Sequence, residues 1–452
     1  MAPARFGTDG VRGVANEDLT AELALAIGRA AARVLPAPTF VVGRDTRRSG
    51  PLLQAALSAG LATEGADVVD LGVFPTPGVA MVAERRGVPG AVVSASHNPF
   101  ADNGIKLFSL LGTKLPVAVE DEIEAELESV LADPDRPPRR PTGFGVGRIL
   151  ADTTATDLYR DHVVGVTDGR SLDGMRVVLD CANGAASSLA PDVFSAAGAS
   201  VRALHVTPDG TNINEKCGST DPSDLARQVV EEGADLGLAF DGDADRVIAV
   251  DHRGTIVDGD VLLALFALDL ARRGQLAGNT VVVTVMTNLG FRLAMEANGI
   301  AVRETDVGDR HVLAALDTDG LSLGGEQSGH IIFRTRSTTG DGMLTGVALA
   351  DLLHRTGSTL AEASHGLLER VPQRLVNVPV PRPERLGECT EVWDAVAKAE
   401  AELGHEGRIL LRPSGTEPVV RVMVEARGEA QADAVAAALA GLVERALGQL
   451  GG

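Results

Sequence analysis

At 452 residues the chain is too long for one ordinary hydrophobic core and calls for three or four domains. An apolar fraction of 44% excludes a disordered chain, and with only 11 Phe, one Trp and one Tyr the cores must be built from Ala, Val and Leu, as in parallel α/β layers. The 41 basic and 62 acidic residues leave a net charge of −21, which repels a phosphate backbone, so no nucleic acid is expected as a partner and a small anionic substrate needs a local cationic pocket.

Met1 to Gly10 has no apolar signal core, and the longest apolar run, Val261 to Leu268, is too short to span a bilayer. A cytoplasmic protein with no membrane partner is expected. Cys181, Cys217 and Cys389 form no CxxC pair, so ordinary reduced thiols are expected.

The chain opens with FGTDGVRG, Phe6 to Gly13, where Arg12 is a candidate phosphate-binding cation. Next comes FVVGRDTRRSGPLLQAALSAGLATEGADVVDLG, which reads as strand, polar loop, Ala/Leu-rich helix, glycine and second strand. The same grammar returns in VVLDCANGAASSLAPDVFSAAGASVRALHV and in VVVTVMTNLGFRLAMEANGIAVRET, which predicts three related α/β domains with mixed sheets. Ligands of such sheets gather at the strand-to-helix loops. Arg44 and Arg47, in the first of these loops, are expected as structural ion pairs before ligands.

VVSASHNPFADNGIKLF, Val92 to Phe108, begins as a buried strand and turns polar at Ser96, His97 and Asn98. A serine there can simply cap a turn. A hydrolase elbow needs G-x-S-x-G, which is absent, and His97 is expected to diverge from its neighbour rather than act as its base. A phosphorylated Ser96 would carry about two negative charges and need a divalent cation and basic groups around it. Lys106 is a candidate charge partner and proton donor.

Val119, Ile123, Leu127 and Val130 fall at helical spacing in Ala118 to Ala132, and DPDRPPRRPTGFGVG, Asp133 to Gly147, reads as a linker. Its GFGVG lacks the third glycine and the preceding strand of a dinucleotide fingerprint.

In FDGDADRVIAV, Asp241, Asp243 and Asp245 alternate. An extended segment would point the three carboxylates one way, an oxygen-rich set suited to Mg2+. An EF-hand would need Gly and Glu where Arg246 and His252 stand, and an aspartyl-phosphate phosphatase wants DxDx[TV] and leaves Ser96 without work. In GGEQSGH, Gly324 to His330, glycines let the backbone crowd around Glu326, Ser328 and His330, groups that can bond sugar hydroxyls and move protons. After the break at VPVPRPERLGE, RPSGTEPVVR sets Ser414, Gly415 and Thr416 between Arg412 and Arg421, which suits a phosphate dianion. It lacks the GK[ST] of a nucleotide loop. A final Ala-rich helix, Glu429 to Leu447, completes a smaller C-terminal α+β domain.

SASHNP, DGDADR, the GExSGH loop and the C-terminal phosphate loop, in that order, resemble the α-D-phosphohexomutase superfamily from Arg5 almost to the end of the chain. FGTDGVRG, GEQSGH and RPSGTEPVVRVMVE are most similar to the bacterial branch that acts on glucosamine phosphates. Gln327 stands where the branches acting on mannose or glucose phosphates usually have methionine or glutamate.

The resemblance implies four domains around a central cleft, here 1–150, 151–252, 253–370 and 371–452. It implies phosphoserine at Ser96, Mg2+ held by Asp241, Asp243, Asp245 and a phosphoserine oxygen, and a sugar 1,6-bisphosphate as activator. Glu326 and Ser328 would meet the sugar, and Arg412, Ser414, Gly415, Thr416 and Arg421 the non-reacting phosphate. Arg12, Lys106 and His330 match positions of charge stabilisation and proton transfer. A hexosamine phosphate is the substrate implied, its product feeding UDP-N-acetylglucosamine and cell-wall precursors, with a mutase for glucose or mannose phosphates as the alternative. A homodimer is left open. Ala244 departs from the glycine common in DGDGDR, and Pro413 from a frequent lysine.

Overall fold

The computed structural model describes Gly7 and residues 10–133, 140–414 and 418–448. Phe6, Thr8 and Asp9 of the first phosphate motif, residues 134–139 of the linker, and Gly415 and Thr416 lie outside the described residues. The three repeats form the predicted elements: strand Thr39–Arg44, helix Gly50–Thr63 and strand Asp67–Val73; then Arg176–Asp180, Ala186–Ala196 and Ser200–Leu204; then Thr280–Thr284, Leu289–Ala297 and Ala301–Thr305. The acidic segment after the first repeat is the helix Val117–Ala132, with Ile123, Leu127 and Val130 on its buried side.

The first sheet is mixed and six-stranded, in the order Val11–Val14, Asp102–Phe108, Gly90–Val93, Thr39–Arg44, Asp67–Val73, Ile149–Ala151. Gly90–Val93 and Thr39–Arg44 run parallel, whereas Asp102–Phe108 returns antiparallel beside Gly90–Val93 and sets Lys106 opposite Val92. In the second sheet Leu236–Phe240 is a fully buried apolar strand between Arg176–Asp180, parallel to it, and Val247–Asp251, antiparallel to it. In the third, Thr280–Thr284 runs parallel to Leu323–Gly325, which pairs antiparallel with Ile331–Phe333. The fourth is antiparallel, with Val419–Glu425 between Gln373–Pro379 and Arg408–Pro413.

Two compact units divide these elements. One runs up to Thr284 and resumes at Thr305–His365; the other joins Val285–Glu304 to the described residues from Gly366 onward. The second unit gathers the helix Leu289–Ala297 through one carboxylate. Glu425, fully buried, accepts from Asn288 Nδ2 at 3.1 Å and the Leu289 amide at 3.2 Å, and Arg408 closes on it at 2.8 Å. Among the described residues no helix is long and apolar enough to cross a membrane. The three cysteines are free thiols, and burial pushes Cys217 up to about 12.

Small residues do the packing that aromatics do elsewhere. Ala24, Ala30 and Ala31 of the helix Ala21–Val34 are fully buried, and the helix approaches Gly50–Thr63 so closely that a Cβ on Gly28 would lie 2.2 Å from the Leu57 carbonyl oxygen. Gly60 meets the Leu25 carbonyl in the same way. Replacing Gly28 by alanine forces the helices apart, and the expected loss is about 1–3 kcal/mol of stability, measured by urea unfolding. An unchanged midpoint would mean that the helix pair is looser than its backbone contacts require.

Candidate active site

Ser96 follows the strand Gly90–Val93, is 1% exposed, and takes a left-handed backbone with φ +52°. That costly conformation is held from three sides. The Ser96 amide donates to Ser94 Oγ at 2.9 Å, and Ser94 Oγ donates to Asp45 Oδ2 at 2.7 Å. Arg47, fully buried, pairs with Asp45 at 2.9 Å and donates to the carbonyls of Ser96 at 2.9 Å, Asn98 at 2.8 Å and Asp102 at 3.1 Å, and to that of Pro99. Asn214 Nδ2 donates to the Ser96 carbonyl at 2.9 Å. Arg47 is the ion pair expected, and it also braces the serine loop.

Ser96 Oγ donates to Asp241 Oδ2 at 2.5 Å. Asp241, Asp243 and Asp245 leave the end of Leu236–Phe240 in a turn, not in the extended segment that the alternating letters predict. Ala244 sits in that turn at φ +60°, at a cost of about 1–2 kcal/mol for a side chain other than glycine. The turn delivers the expected result by another route, with carboxylate oxygens of the three residues within 4.8 Å of one another. Lys106 Nζ lies 2.9 Å from Asp243 Oδ2 and 3.8 Å from Asp245 Oδ2. Thr76, at the start of the helix Thr76–Arg86, donates its hydroxyl to Asp243 Oδ2 at 2.6 Å and its amide to the Asp243 carbonyl at 3.0 Å.

Burial and the other two aspartates hold the Asp241 carboxyl well above its ordinary range. Burial works the same way on Asp245, but Lys106 and His330 outweigh it and hold that carboxyl well below. Lys106, His330 and Arg246 are the positive groups that act on these buried carboxylates. Asp243 Oδ1 and Asp245 Oδ1 are buried and have no hydrogen-bond partner among the described residues. All-oxygen donors with buried lone pairs fit a hard divalent cation such as Mg2+.

His97 departs from expectation. Its Nδ1 comes within 3.3 Å of Ser96 Oγ, because the left-handed turn at Ser96 swings neighbouring side chains together. Burial, Arg246 and Arg12 lower its pKa to about 4, so the ring is neutral near pH 7. Unfolded histidine titrates near 6.5, so between pH 6.5 and 4 the unfolded chain binds more protons and stability is lost as the pH is lowered. In unphosphorylated protein, His97→Gln should flatten that acid loss of Tm. An identical acid slope in the variant would show that His97 is not the group responsible.

Burial opposes a charged His330, yet Asp245, Asp309 and Glu326 push it up to about 9. The Gly340 amide points at Nε2 from 3.0 Å and needs a lone pair there, which leaves the ring proton on Nδ1, 3.6 Å from Asp245 Oδ2. Nε2 also lies 3.7 Å from Asp309 Oδ2, so the proton that the carboxylates favour there competes with the Gly340 amide for that nitrogen. Both demands are met when positive charge other than the ring offsets Asp245.

Glu326 and Ser328 lie beside this histidine. Gly308 donates its amide to Glu326 Oε1 at 3.1 Å, and Ser328 Oγ donates to Glu326 Oε2 at 3.4 Å. Gln327 turns away and donates to Asp258 Oδ2 at 3.3 Å, at the start of the helix Gly259–Arg272. The first unit thus gathers Ser96, Lys106, the three aspartates, Glu326, Ser328 and His330, and Arg12 lies near enough to His97 to lower its pKa. On the second unit Arg412 and Arg421 are direct cross-strand partners, and Arg421 reaches Ser414 Oγ at 3.5 Å. Like charges set opposite each other repel, and a bound dianion would repay that cost.

Models of the phosphoglucomutase/phosphomannomutase α/β/α domains I, II and III match residues 3–132, 157–254 and 258–371, and the model of the C-terminal domain matches 375–442. The phosphoglucosamine mutases of Streptomyces griseus and Streptomyces coelicolor are 53% and 54% identical, each over 98% of this chain and 99% of its own length. The chain belongs to the phosphoglucosamine mutase family. The fold of this family is seen at 27% identity in a phosphoglucomutase/phosphomannomutase family protein from Burkholderia thailandensis, with a TM-score of 0.81 over 99% of this chain and 98% of that one. At 19% identity the N-acetylphosphoglucosamine mutase of Aspergillus fumigatus, solved with GlcNAc-6P and magnesium, shares the fold with a TM-score of 0.69 over 98% of this chain and 96% of its own.

Proposed function

We propose that this member of the family interconverts glucosamine 6-phosphate and glucosamine 1-phosphate through phosphoserine 96 and a glucosamine 1,6-bisphosphate. The observation that carries this reading is Ser96 Oγ, 2.5 Å from Asp241 in a cluster of three aspartates, with Lys106 Nζ 2.9 Å from Asp243 of the same cluster. The full-length similarity to phosphoglucosamine mutases favours glucosamine phosphate over a glucose or mannose phosphate.

Transfer breaks the bond between phosphorus and Ser96 Oγ and forms one to a sugar hydroxyl. Lys106 gives a proton to Ser96 Oγ as it leaves and recovers one from the incoming hydroxyl. Asp241, Asp243 and Asp245, with a phosphoserine oxygen, would hold Mg2+, which when bound neutralises charge on the transferring group. Arg12, whose charge acts on His97 next to Ser96, would add positive charge there. With Nε2 occupied by the Gly340 amide, His330 serves to orient Asp245 and stabilise charge and does not act as a base. Glu326 and Ser328 would bond the sugar, and Arg412, Ser414, Gly415, Thr416 and Arg421 would hold the phosphate that is not reacting. The second half-reaction returns a phosphoryl group to Ser96 from the other end of the sugar.

The test is kcat/KM for glucosamine, glucose and mannose phosphates side by side, with Mg2+ and a catalytic amount of sugar 1,6-bisphosphate. A preference for the amino sugar of at least about tenfold is expected. A preference for glucose or mannose phosphate would keep the chemistry and overturn the substrate.

A further inference from the structure

No side chain of the segment Ser337–Gly342, STTGDG, enters the chemistry above, yet its backbone, buried from Thr338 on, reaches two parts of the site. The Gly342 amide donates to the Ala244 carbonyl at 3.0 Å, and Ala244 is the left-handed residue between two of the clustered aspartates. Two residues earlier the Gly340 amide donates to His330 Nε2 at 3.0 Å. Neither position admits a side chain. A Cβ on Gly340 would lie 2.5–2.6 Å from three atoms of the His330 ring, and one on Gly342 would lie 2.4 Å from the Arg246 carbonyl oxygen.

Between these glycines Asp341, 2% exposed, fixes the segment. Its Oδ1 accepts from the Leu344 amide at 2.9 Å, capping the helix Gly342–Thr356, and its two oxygens accept from the Tyr159 hydroxyl at 2.9 and 3.0 Å. Tyr159 is itself fully buried. On the other side Thr338 Oγ1 donates to the Gly112 carbonyl at 2.6 Å, in the loop that follows the strand carrying Lys106. One short segment therefore touches the aspartate turn, His330 and the continuation of the lysine strand.

We propose that Asp341, locked by Tyr159, is a positioning residue: through the Gly340 and Gly342 amides it sets the aspartate turn and His330 in register, so that the three carboxylates are preorganised for a divalent cation. Ala244 gives the device its purpose. Glycine would adopt the left-handed turn freely, whereas alanine resists it, and the amide of Gly342 holds the carbonyl that this conformation presents. A helix cap alone would need neither the tyrosine clamp nor two glycines packed against site residues.

This inference rests on the aspartates forming a cation site, and the experiment separates the two. Mn2+ binding is titrated by electron paramagnetic resonance on purified full-length protein without sugar phosphate, alongside steady-state kinetics. Asp341→Ala should weaken Mn2+ binding about tenfold and lower kcat with KM for the sugar phosphate within about twofold. Tyr159→Phe, which leaves no cavity, should shift both in the same direction by a smaller factor. Asp341→Asn keeps an acceptor for Leu344 and Tyr159 and should recover most of the affinity. Mn2+ affinities of Asp341→Ala and Tyr159→Phe equal to the parent's, with only Tm lowered, would reduce the segment to a helix cap and overturn the proposal. If Asp341→Ala does not fold, Tyr159→Phe decides. A parent that binds Mn2+ no better than Asp243→Asn would overturn the cation site and this inference together.

Discussion

Ser96→Ala is expected to lower kcat/KM for mutase turnover by at least about 10^3-fold, which is about 4 kcal/mol of transition-state stabilisation. Among the described residues of the first unit, no other hydroxyl combines burial, an aspartate at 2.5 Å and a lysine-bearing strand next to its own. The variant should remain folded. Alanine tolerates φ +52° about as poorly as serine does, and the loop is held through backbone groups, by Arg47, Asn214 and Ser94, all of which survive the substitution. Lost activity with Tm within a few degrees of the parent would therefore report chemistry. Retained activity would remove Ser96 from the reaction.

Asp243→Asn is the second large effect, expected at about 10^2- to 10^3-fold in kcat/KM. Asp243 Oδ2 receives both Lys106 and Thr76, and its other oxygen is buried with no hydrogen-bond partner among the described residues. The amide keeps the shape but removes the charge that fixes the lysine and would bind the cation. Half-saturation in Mg2+ should move to higher concentration as kcat falls. An unchanged Mg2+ activation curve would mean that the cation, if required, binds elsewhere.

The repeats were legible because each changes hydrophobic period from strand to helix and back, and because the turns carry glycine. The site motifs were legible because chemistry places unusual residue types in short loops. What the letters could not convey was backbone shape. Asp241, Asp243 and Asp245 converge through a left-handed turn at Ala244, where alternation suggested an extended strand. His97 folds back to Ser96 Oγ, where adjacency suggested divergence. Both follow from positive φ at residues with side chains, which strand and helix patterns do not signal.

Long-range partners were the other gap. Nothing local to Glu425 says that it will collect Asn288, Leu289 and Arg408, and so place the third repeat's helix in the second compact unit. Thr76, Asn214 and Gly340 support the site from segments that carry no motif. Gln327, the letter that most clearly marks the branch, points to Asp258 and so acts on the loop's placement. Arg47 was foreseen as an ion pair, and its grip on four carbonyls became visible only once the serine loop was folded around it.

The most direct measurement of the central claim is a single turnover followed by intact mass. Protein carrying one phosphoryl group on Ser96 is mixed with less than one equivalent of glucosamine 6-phosphate and Mg2+, and both protein and sugar are read. The account predicts that the protein loses one phosphoryl mass as glucosamine 1,6-bisphosphate appears, with glucosamine 1-phosphate following as the mass returns. A protein that keeps its phosphoryl group while glucosamine 1-phosphate accumulates would contradict it.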